Sequence, residues 1–160
     1  MSHATDSTTS NNDRPHRLVA IAVDDLTISD HVADWAVRNY IHRNDTVLLL
    51  NAYSTYYTRG AAFDTSFQEA SERHSQNVLR HFAKAFSFDA LGFNVPVKMV
   101  SLPGEPRSVL IDAVDEMGAN VLIMGSREMG TVSKAVLGSV SEYCVRHCEC
   151  PVIVVRPPVQ

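Results

Sequence analysis

Long apolar runs are missing from this chain of 160 residues. A helix that spans a bilayer needs about 18–20 consecutive apolar residues. Because no stretch approaches that length, a transmembrane protein is excluded. Positive charge is scarce as well, since 14 lysines and arginines are set against 18 aspartates and glutamates, for a net charge of −4. Proteins that bind nucleic acid in bulk are normally basic, so this balance disfavours that class.

Cysteine is rare, and the three cysteines lie close together at 144, 148 and 150. An odd, clustered set does not make a disulfide framework, so a reducing compartment is the simpler interpretation. The first 15 residues also lack the apolar core of a secretory signal, and we expect a cytoplasmic protein. Buried core thiols are favoured over a zinc site with His147 or a redox sensor, because C-x3-C-x-C has no second ligand pair.

The composition is otherwise that of one folded domain. Hydrophobic residues make up 45% of the chain and charged residues 20%, which is enough to bury a core. Residues 1–15 are mostly Ser, Thr, Asn and Asp and are predicted to be a disordered polar tail. We therefore expect a single domain over 16–160.

Short β-branched runs alternate with helical patterns through that domain. The runs predict strands over 17–23, 45–52, 94–101, 120–125 and 151–156. Several are apolar on both faces, as a parallel sheet with helices on each side requires. Strand–helix alternation gives right-handed crossovers, so the predicted fold class is α/β.

Helix boundaries are predicted from local patterns. Ser66-x-x-Glu69 is a capping box that opens a helix over about 65–87, and Ser139-x-x-Glu142 opens another that runs to about Cys148. The connection 53–64 is longer than the fold needs and is predicted to be a mobile flap.

In such a sheet, ligands bind beyond the carboxyl ends of the strands, where the strand order reverses. Gly125 directly follows the fourth strand, and a glycine there lets the backbone approach a ligand. Gly138 and Ser139 lead into a helix N-terminus, whose free N–H groups suit an anion. A well-capped helix without a ligand is the alternative for this segment.

Several known site patterns are absent from the sequence. There is no G-x-x-x-x-G-K-[ST] phosphate loop, no G-x-G-x-x-G after the first strand, no H-E-x-x-H and no G-x-S-x-G. Asp24-Asp25 is similar to the paired acids of response-regulator receivers, but the phosphoacceptor Asp and the lysine of that site are missing. Alternatively, Asp25 or Ser29 only starts the first helix.

With Val23-Asp24, Gly125 and Gly138-Ser139 following one another in this order, the chain resembles the universal stress protein family over about 17–157. The family's ATP-binding members carry G-x2-G-x9-G-[ST], which corresponds here to Gly125, Glu128, Gly138 and Ser139. Further matches, in chain order, are Val23-Asp24, Trp35-Ala36, 104–107, 118–125, 138–143 and 150–156.

This resemblance implies a Rossmann-like, five-stranded parallel sheet with helices on both faces, of the adenine nucleotide alpha hydrolase-like type. It implies a homodimer through the C-terminal strand, since Val152–Val155 is an apolar edge. It also implies ATP as the ligand, with Mg²⁺ accompanying the nucleotide. The implied nucleotide contacts are Ala22, Val23, Asp24, Ala52, Met124, Gly125, Arg127, Gly138, Ser139, Val140 and Ser141.

Glu128 departs from the family pattern, because it stands where the second glycine is expected. Repulsion of two unit charges about 4 Å apart is about 1 kcal/mol in water and about 4 kcal/mol at an effective dielectric of about 20. That corresponds to roughly one to three decades in affinity. Three arrangements would offset this loss of affinity. Gly130 would supply the turn from a shifted position, Glu128 would hold Mg²⁺, or Arg127 would pair with Glu128 or with a phosphate.

The sequence thus predicts an adenine-nucleotide-binding stress-response sensor or switch with an unknown protein partner and without nucleic-acid or membrane binding. No general base is evident beside the phosphate loop, so we expect no enzyme, or at most slow ATP hydrolysis. A dimeric interaction protein of the same fold that does not bind ATP is the alternative.

Overall fold

The computed structural model describes residues 16–55, 65–126 and 137–156. Five strands within these ranges form one sheet in the order β3-β2-β1-β4-β5, and all four pairings are parallel. The strands are β1 (Arg17–Ala22), β2 (Asp45–Tyr53), β3 (Val97–Pro103), β4 (Val121–Gly125) and β5 (Val152–Val155). The predicted α/β, Rossmann-like parallel sheet is confirmed. Some predictions fall outside the described residues. They concern the tail, most of the flap, and Arg127, Glu128 and Gly130.

Within the described ranges, five helices and a 3₁₀ turn connect these strands. They are α1 (Thr27–Asn39), α2 (Thr65–Ala83), the 3₁₀ turn Lys84–Phe86, α3 (Phe88–Leu91), α4 (Pro106–Glu116) and α5 (Ser139–His147). No helix in the described ranges has the length and apolar character that a bilayer span requires.

The central strands are buried on both faces because successive side chains point to opposite sides of the sheet. Val19 and Ile21 of β1 face one cluster, which includes Val32 of α1 and Phe82 of α2. Ala20, between them, faces the other cluster, which lies under α4 and α5. The doubly apolar strand pattern thus places a helical layer on each side of the sheet.

A partly buried ion pair fixes the start of the sheet. Arg17 donates from Nε and from an Nη to the two carboxylate oxygens of Asp45, both at 2.8 Å, and Asp45 is only 2% exposed. The same two residues are register partners in β1 and β2. Hydrogen bonding to Asp45 raises the pKa of Arg17, which keeps the guanidinium charged in this bidentate pair.

The two predicted capping boxes are wrong. α2 begins at Thr65, so Ser66 lies inside the helix rather than before it. α5 begins at Ser139, and its N-cap is Gly138, which makes no side-chain capping bond. The helix predicted to reach residue 87 ends at Ala83 and continues as the 3₁₀ turn.

The third strand was predicted over 94–101 but spans 97–103. Its first pair is Val97 with Val47, and its last is Pro103 with Tyr53. Because β2 extends to Tyr53, the pairing carries β3 two residues further than its own apolar pattern indicates.

The three cysteines pack against the core cluster beneath α4 and α5. Cys144 is fully buried, and Cys148 and Cys150 are half-buried free thiols. Burial is the main cause that raises the pKa of all three, that of Cys148 to about 12. Redox sensing and metal ligation both require thiolates, so this environment favours the core interpretation. Within the described ranges, no three His, Cys, Asp or Glu side chains are grouped to hold a metal ion.

Candidate ligand-binding cleft

A cleft of about 190 Å³ lies at the carboxyl edge of the sheet, where the strand order reverses between β1 and β4. Sites for drug-sized ligands usually enclose about 300–1,000 Å³. A ligand of that size would therefore be enclosed only in part and would extend beyond the mouth.

The residues predicted to contact a ligand converge on this cleft, although the sequence places them in four separate segments. Ten of the eleven line it, and Arg127 lies outside the described residues. Those ten are Ala22, Val23, Asp24, Ala52, Met124, Gly125, Gly138, Ser139, Val140 and Ser141. Their contact with a ligand stays a prediction.

Five lining residues were missed by the sequence reasoning. They are Ile28, Ser29, Leu50, Pro106 and Leu110. Pro106 and Leu110 come from the first turns of α4, which follows β3. The rule that ligands bind after the strands' carboxyl ends could have found them, because it applies to the helix after β3 as much as to the loop after β4.

One wall of the cleft is apolar and built from small or unbranched side chains. Ala22 is the last residue of β1, and Ala52 and Met124 are the last but one of β2 and β4. Leu110 closes the wall from α4 and is 4% exposed. An apolar wall that includes two alanines and a flexible thioether suits contact with a flat ring system.

The backbone of Val23 is engaged within the protein. Its N–H donates to the Leu50 carbonyl at 2.9 Å, and its carbonyl accepts from Nδ2 of Asn51 at 2.7 Å. Asn51 is 6% exposed, so this bond ties the ends of β1 and β2 together from inside. Val23 therefore offers a ligand its side chain and the second lone pair of its carbonyl, but no N–H donor.

Asp24 is the charged residue at the cleft wall. Its Oδ1 accepts from the backbone N–H of Leu26 at 3.1 Å and from the hydroxyl of Ser29 at 2.7 Å. The Ser29 hydroxyl oxygen in turn accepts from the Asp24 N–H at 2.8 Å. The carboxylate is thereby fixed at the end of β1, and the predictions that Asp25 or Ser29 caps α1 are wrong, since the N-cap is Leu26 and makes no side-chain bond.

Gly125 has a packing role that its sequence position does not reveal. A Cβ at this residue would lie 2.6 Å from Cγ1 of Ile28 and 3.2 Å from Cγ2 of Val32. Helix α1 therefore crosses the end of β4 at a distance only glycine permits. The glycine positions α1, and with it Ser29 and Asp24, along the cleft.

The N-terminus of α5 also lines the cleft. Gly138 enters the helix with extended backbone (φ −61°, ψ 154°), and its carbonyl accepts from the Glu142 N–H at 2.8 Å. Within the described part of the chain, the N–H groups of residues 139–141 have no acceptor. Three such donors at the positive end of a helix suit an anion.

The two serines of that first turn differ. Ser141 is 2% exposed, and its hydroxyl donates to the Gly138 carbonyl at 2.9 Å. Its hydroxyl proton is therefore donated within the helix, and contact of Ser141 with a nucleotide stays a prediction. Ser139 is exposed and lines the cleft, so its hydroxyl is the one placed for a ligand.

Charge at the cleft is sparse. Among the described lining residues Asp24 alone is ionisable, and no Lys or Arg lines the cleft there. The α5 terminus is accordingly the main source of positive potential in this part of the site.

Known proteins are similar to this chain over most of its length. A model described as the universal stress protein family matches residues 16–156. Universal stress protein PHOS32 of Arabidopsis thaliana is 34% identical over 89% of this chain, and the chain spans only 65% of that relative's length.

Solved structures share the fold. Protein MJ0577 has a TM-score of 0.74 at 18% identity, covering 91% of this chain and 99% of its own. A universal stress protein family member from Arabidopsis thaliana, solved with AMP bound, has a TM-score of 0.65 at 22% identity, covering 89% and 93% respectively. With the family model matching nearly all the described residues, the chain belongs to the universal stress protein family.

Proposed function

We propose that this protein binds an adenine nucleotide in the cleft between β1, β4 and α5. One observation carries the proposal: an apolar wall, a fixed carboxylate and three helix N-terminal N–H donors, for which the described residues supply no acceptor, line a single cleft. A base, a sugar hydroxyl and a phosphate need those three environments, in that order. The Arabidopsis family member solved with AMP bound gives independent support.

The number of phosphates is a separate question. ATP with Mg²⁺ is the ligand implied by the family resemblance, and there the ion would carry part of the compensating charge. The described lining residues contribute no cation. A monophosphate, with less charge to compensate, is therefore the simpler match for the α5 terminus alone.

The biological role proposed is a cytoplasmic sensor or switch rather than an enzyme with substantial turnover. Asp24, the ionisable group of the described lining, lies at the β1 end and already accepts two hydrogen bonds. Any hydrolysis is proposed to be slow, because the described residues place no general base beside the phosphate-binding turn.

Self-association through β5 is the second part of the proposal. β5 is an edge strand of the sheet, and Val152, Ile153 and Val154 are only half-buried. Apolar edge strands favour pairing with another chain. If the protein binds no nucleotide, this edge supports the alternative of a dimeric interaction protein.

Calorimetric titration of wild type and Ser139→Asp with adenosine, AMP and Mg-ATP tests the proposal. The new carboxylate stabilises a helix N-terminus by about 0.3–1 kcal/mol. It repels a phosphate at the same place. We expect Ser139→Asp to raise thermal stability slightly while weakening AMP and Mg-ATP binding at least tenfold and leaving adenosine binding within about twofold.

Ser108→Asp is the matched control, because Ser108 is an exposed serine in the first turn of α4 and does not line the cleft. It should leave all three affinities unchanged. Mass spectrometry of small molecules that co-purify with the native protein identifies the natural ligand. Absence of heat, thermal shift and co-purified nucleotide at millimolar concentrations would exclude nucleotide binding and favour the interaction protein.

A further inference from the structure

Arg107 is a cation that lies next to the cleft without lining it. It is the second residue of α4 and directly follows Pro106, which is a lining residue. Helices α4 and α5 both begin at the cleft, since Pro106 and Ser139 belong to its lining. The first turn of α4 thus brings a guanidinium to a site whose described lining contains no lysine or arginine.

The guanidinium of Arg107 reaches across to α5. It lies over the ring of Tyr143, 5.8 Å from the ring centroid. Tyr143 and Ser139 are four residues apart, so they share one face of α5 in successive turns. Helical side chains lean toward the N-terminus, which directs Tyr143 toward the Ser139 turn. Arg107 therefore lies beside the turn that we propose binds a phosphate.

The ring under Arg107 is itself supported. Tyr143 stacks on His147, with 4.0 Å between the ring centroids and 22° between the planes. The His147 ring is in turn held by a hydrogen-bond contact of 2.8 Å between its Nδ1 and the Tyr143 carbonyl. A guanidinium stacked on such a platform needs less reordering when it binds an anion.

Most of the donors of Arg107 remain available. Its Nε donates to Oε1 of Glu105 at 2.8 Å. An arginine has five N–H donors, and the other four are on the two Nη atoms. Among the residues that the structure describes, those Nη groups have no hydrogen-bond acceptor. Such a fork of N–H groups matches the oxygens of a phosphate.

Glu105 is the group that competes with a phosphate for Arg107. Hydrogen bonding with Arg107 lowers the pKa of Glu105, so its carboxylate is charged at neutral pH. The pair is exposed, at 48% and 49%, and exposed pairs are weak. A terminal phosphate carries about −1.5 to −2 charges at pH 7, more than a carboxylate. The nearby Glu142 is already paired with Arg146 at 2.8 Å.

From this placement we propose that Arg107 binds the outer phosphates of a nucleoside di- or triphosphate whose first phosphate lies at the N-terminus of α5. The inference rests on the proposed function. It goes beyond that function by naming a protein cation that lets the site hold more than one phosphate. The part of the ligand that extends beyond the mouth of the cleft would meet this cation.

Calorimetric titrations with AMP, ADP and ATP test the inference, in EDTA so that no divalent ion supplies the charge. Arg107→Gln should weaken ADP and ATP binding about fivefold, the effect of one exposed unit charge about 4 Å away in water, and AMP binding less than about twofold. Arg107→Lys, which keeps the charge without the fork, should lose only about twofold for ADP. Thermal unfolding checks that each variant is folded.

Arg146→Gln is the matched control, because Arg146 is an exposed, ion-paired arginine in the last turn of α5. It should change all three affinities less than about twofold. Salt gives a second readout. At about 0.5 M KCl, where exposed charges are screened, the effect of Arg107→Gln on ADP should fall below about twofold.

The phosphate series makes the possible failures distinguishable. Equal weakening of AMP, ADP and ATP by Arg107→Gln, no weakening of ADP and ATP, or a loss that salt does not reduce would overturn the inference while the proposed function stands. A wild type that binds AMP but neither ADP nor ATP would do the same. Failure of the wild type to bind any of the three nucleotides would overturn the proposed function, and the inference with it.

Discussion

Replacement of Gly125 by alanine tests how helix α1 is held over the cleft. Gly125 is not at a positive φ, so alanine introduces no backbone strain there. Without a steric conflict, a Gly→Ala change stabilises a protein by about 0.4–1 kcal/mol, because it restricts the unfolded chain. The sign of the measured effect therefore depends on the space around the new methyl group.

The structure leaves too little space. The alanine Cβ would lie 2.6 Å from Cγ1 of Ile28, whereas ordinary contacts are 3.4–4 Å. A second contact, 3.2 Å to Val32, lies on the next turn of the same helix. Forcing a methyl group into a packed site costs about 1–3 kcal/mol. Since α1 also carries Ser29, its displacement should weaken nucleotide binding.

Urea and thermal unfolding measure the effect. We expect Gly125→Ala to lower the free energy of unfolding by about 1–2 kcal/mol, which is a fall of roughly 2–8 °C in Tm for a domain of this size. Ile28→Ala removes the nearest clashing atoms and is the matched partner variant. In that background, Gly125→Ala should cost less than about 0.5 kcal/mol.

A Gly125→Ala protein as stable as wild type, or more stable, would refute the packing of α1 on the end of β4. An equal loss of stability from Gly125→Ala in wild type and in the Ile28→Ala background would refute this packing as well. A variant that keeps full stability yet loses nucleotide binding would instead restore the sequence-based interpretation, in which the glycine only admits the ligand.

Three further changes test other parts of the structure. Asp45→Asn should lower the free energy of unfolding in urea by about 2–4 kcal/mol, because it leaves Arg17 without its carboxylate. Asp34→Asn, in an exposed ion pair, is the control and should lower it by less than about 0.5 kcal/mol. Glu105→Ala should cost about 1 kcal/mol in the same assay by removing the cap on α4; no loss would contradict that role. At pH 8 the native Cys148 thiol should react far more slowly with iodoacetamide than the urea-unfolded thiol, because burial raises its pKa to about 12. As pH rises above about 9, the unfolded thiol ionises while the folded thiol keeps its proton, so stability should fall with pH and fall less in Cys148→Ala.

The strand pattern was predictable because burial on both faces leaves a plain mark on the sequence. Runs such as Val19–Ile21 and 121–124 are apolar at every position, since each side chain meets a helical layer. Convergence of the cleft residues was predictable for a related reason. All parallel strands end at one edge, so residues that follow different strands become neighbours.

The helix starts were less predictable. Both S-x-x-E patterns begin inside their helices rather than at the N-cap, because the helices begin at Thr65 and Ser139. At α5 the extended backbone of Gly138 sets the entry, without any side-chain cap. A local capping pattern cannot reveal this, because the direction of chain entry depends on the preceding segment.

The contacts that shape the cleft were not predictable from sequence. The Ser29–Asp24 pair depends on how tightly the connection after β1 turns. The approach of Ile28 to Gly125 depends on contact between elements almost a hundred residues apart. Such distances are set by tertiary packing, and residue type alone indicates only that a glycine or a serine is compatible with them.

Backbone amide NMR of the ¹⁵N-labelled protein, titrated with AMP, tests nucleotide binding in the cleft most directly. Binding there predicts saturable shifts at Asp24 and Gly125 on one wall and at Ser139–Ser141 on the other, with α2 and β3 little affected. No shifts at millimolar AMP, or shifts confined to surfaces away from these walls, would contradict it.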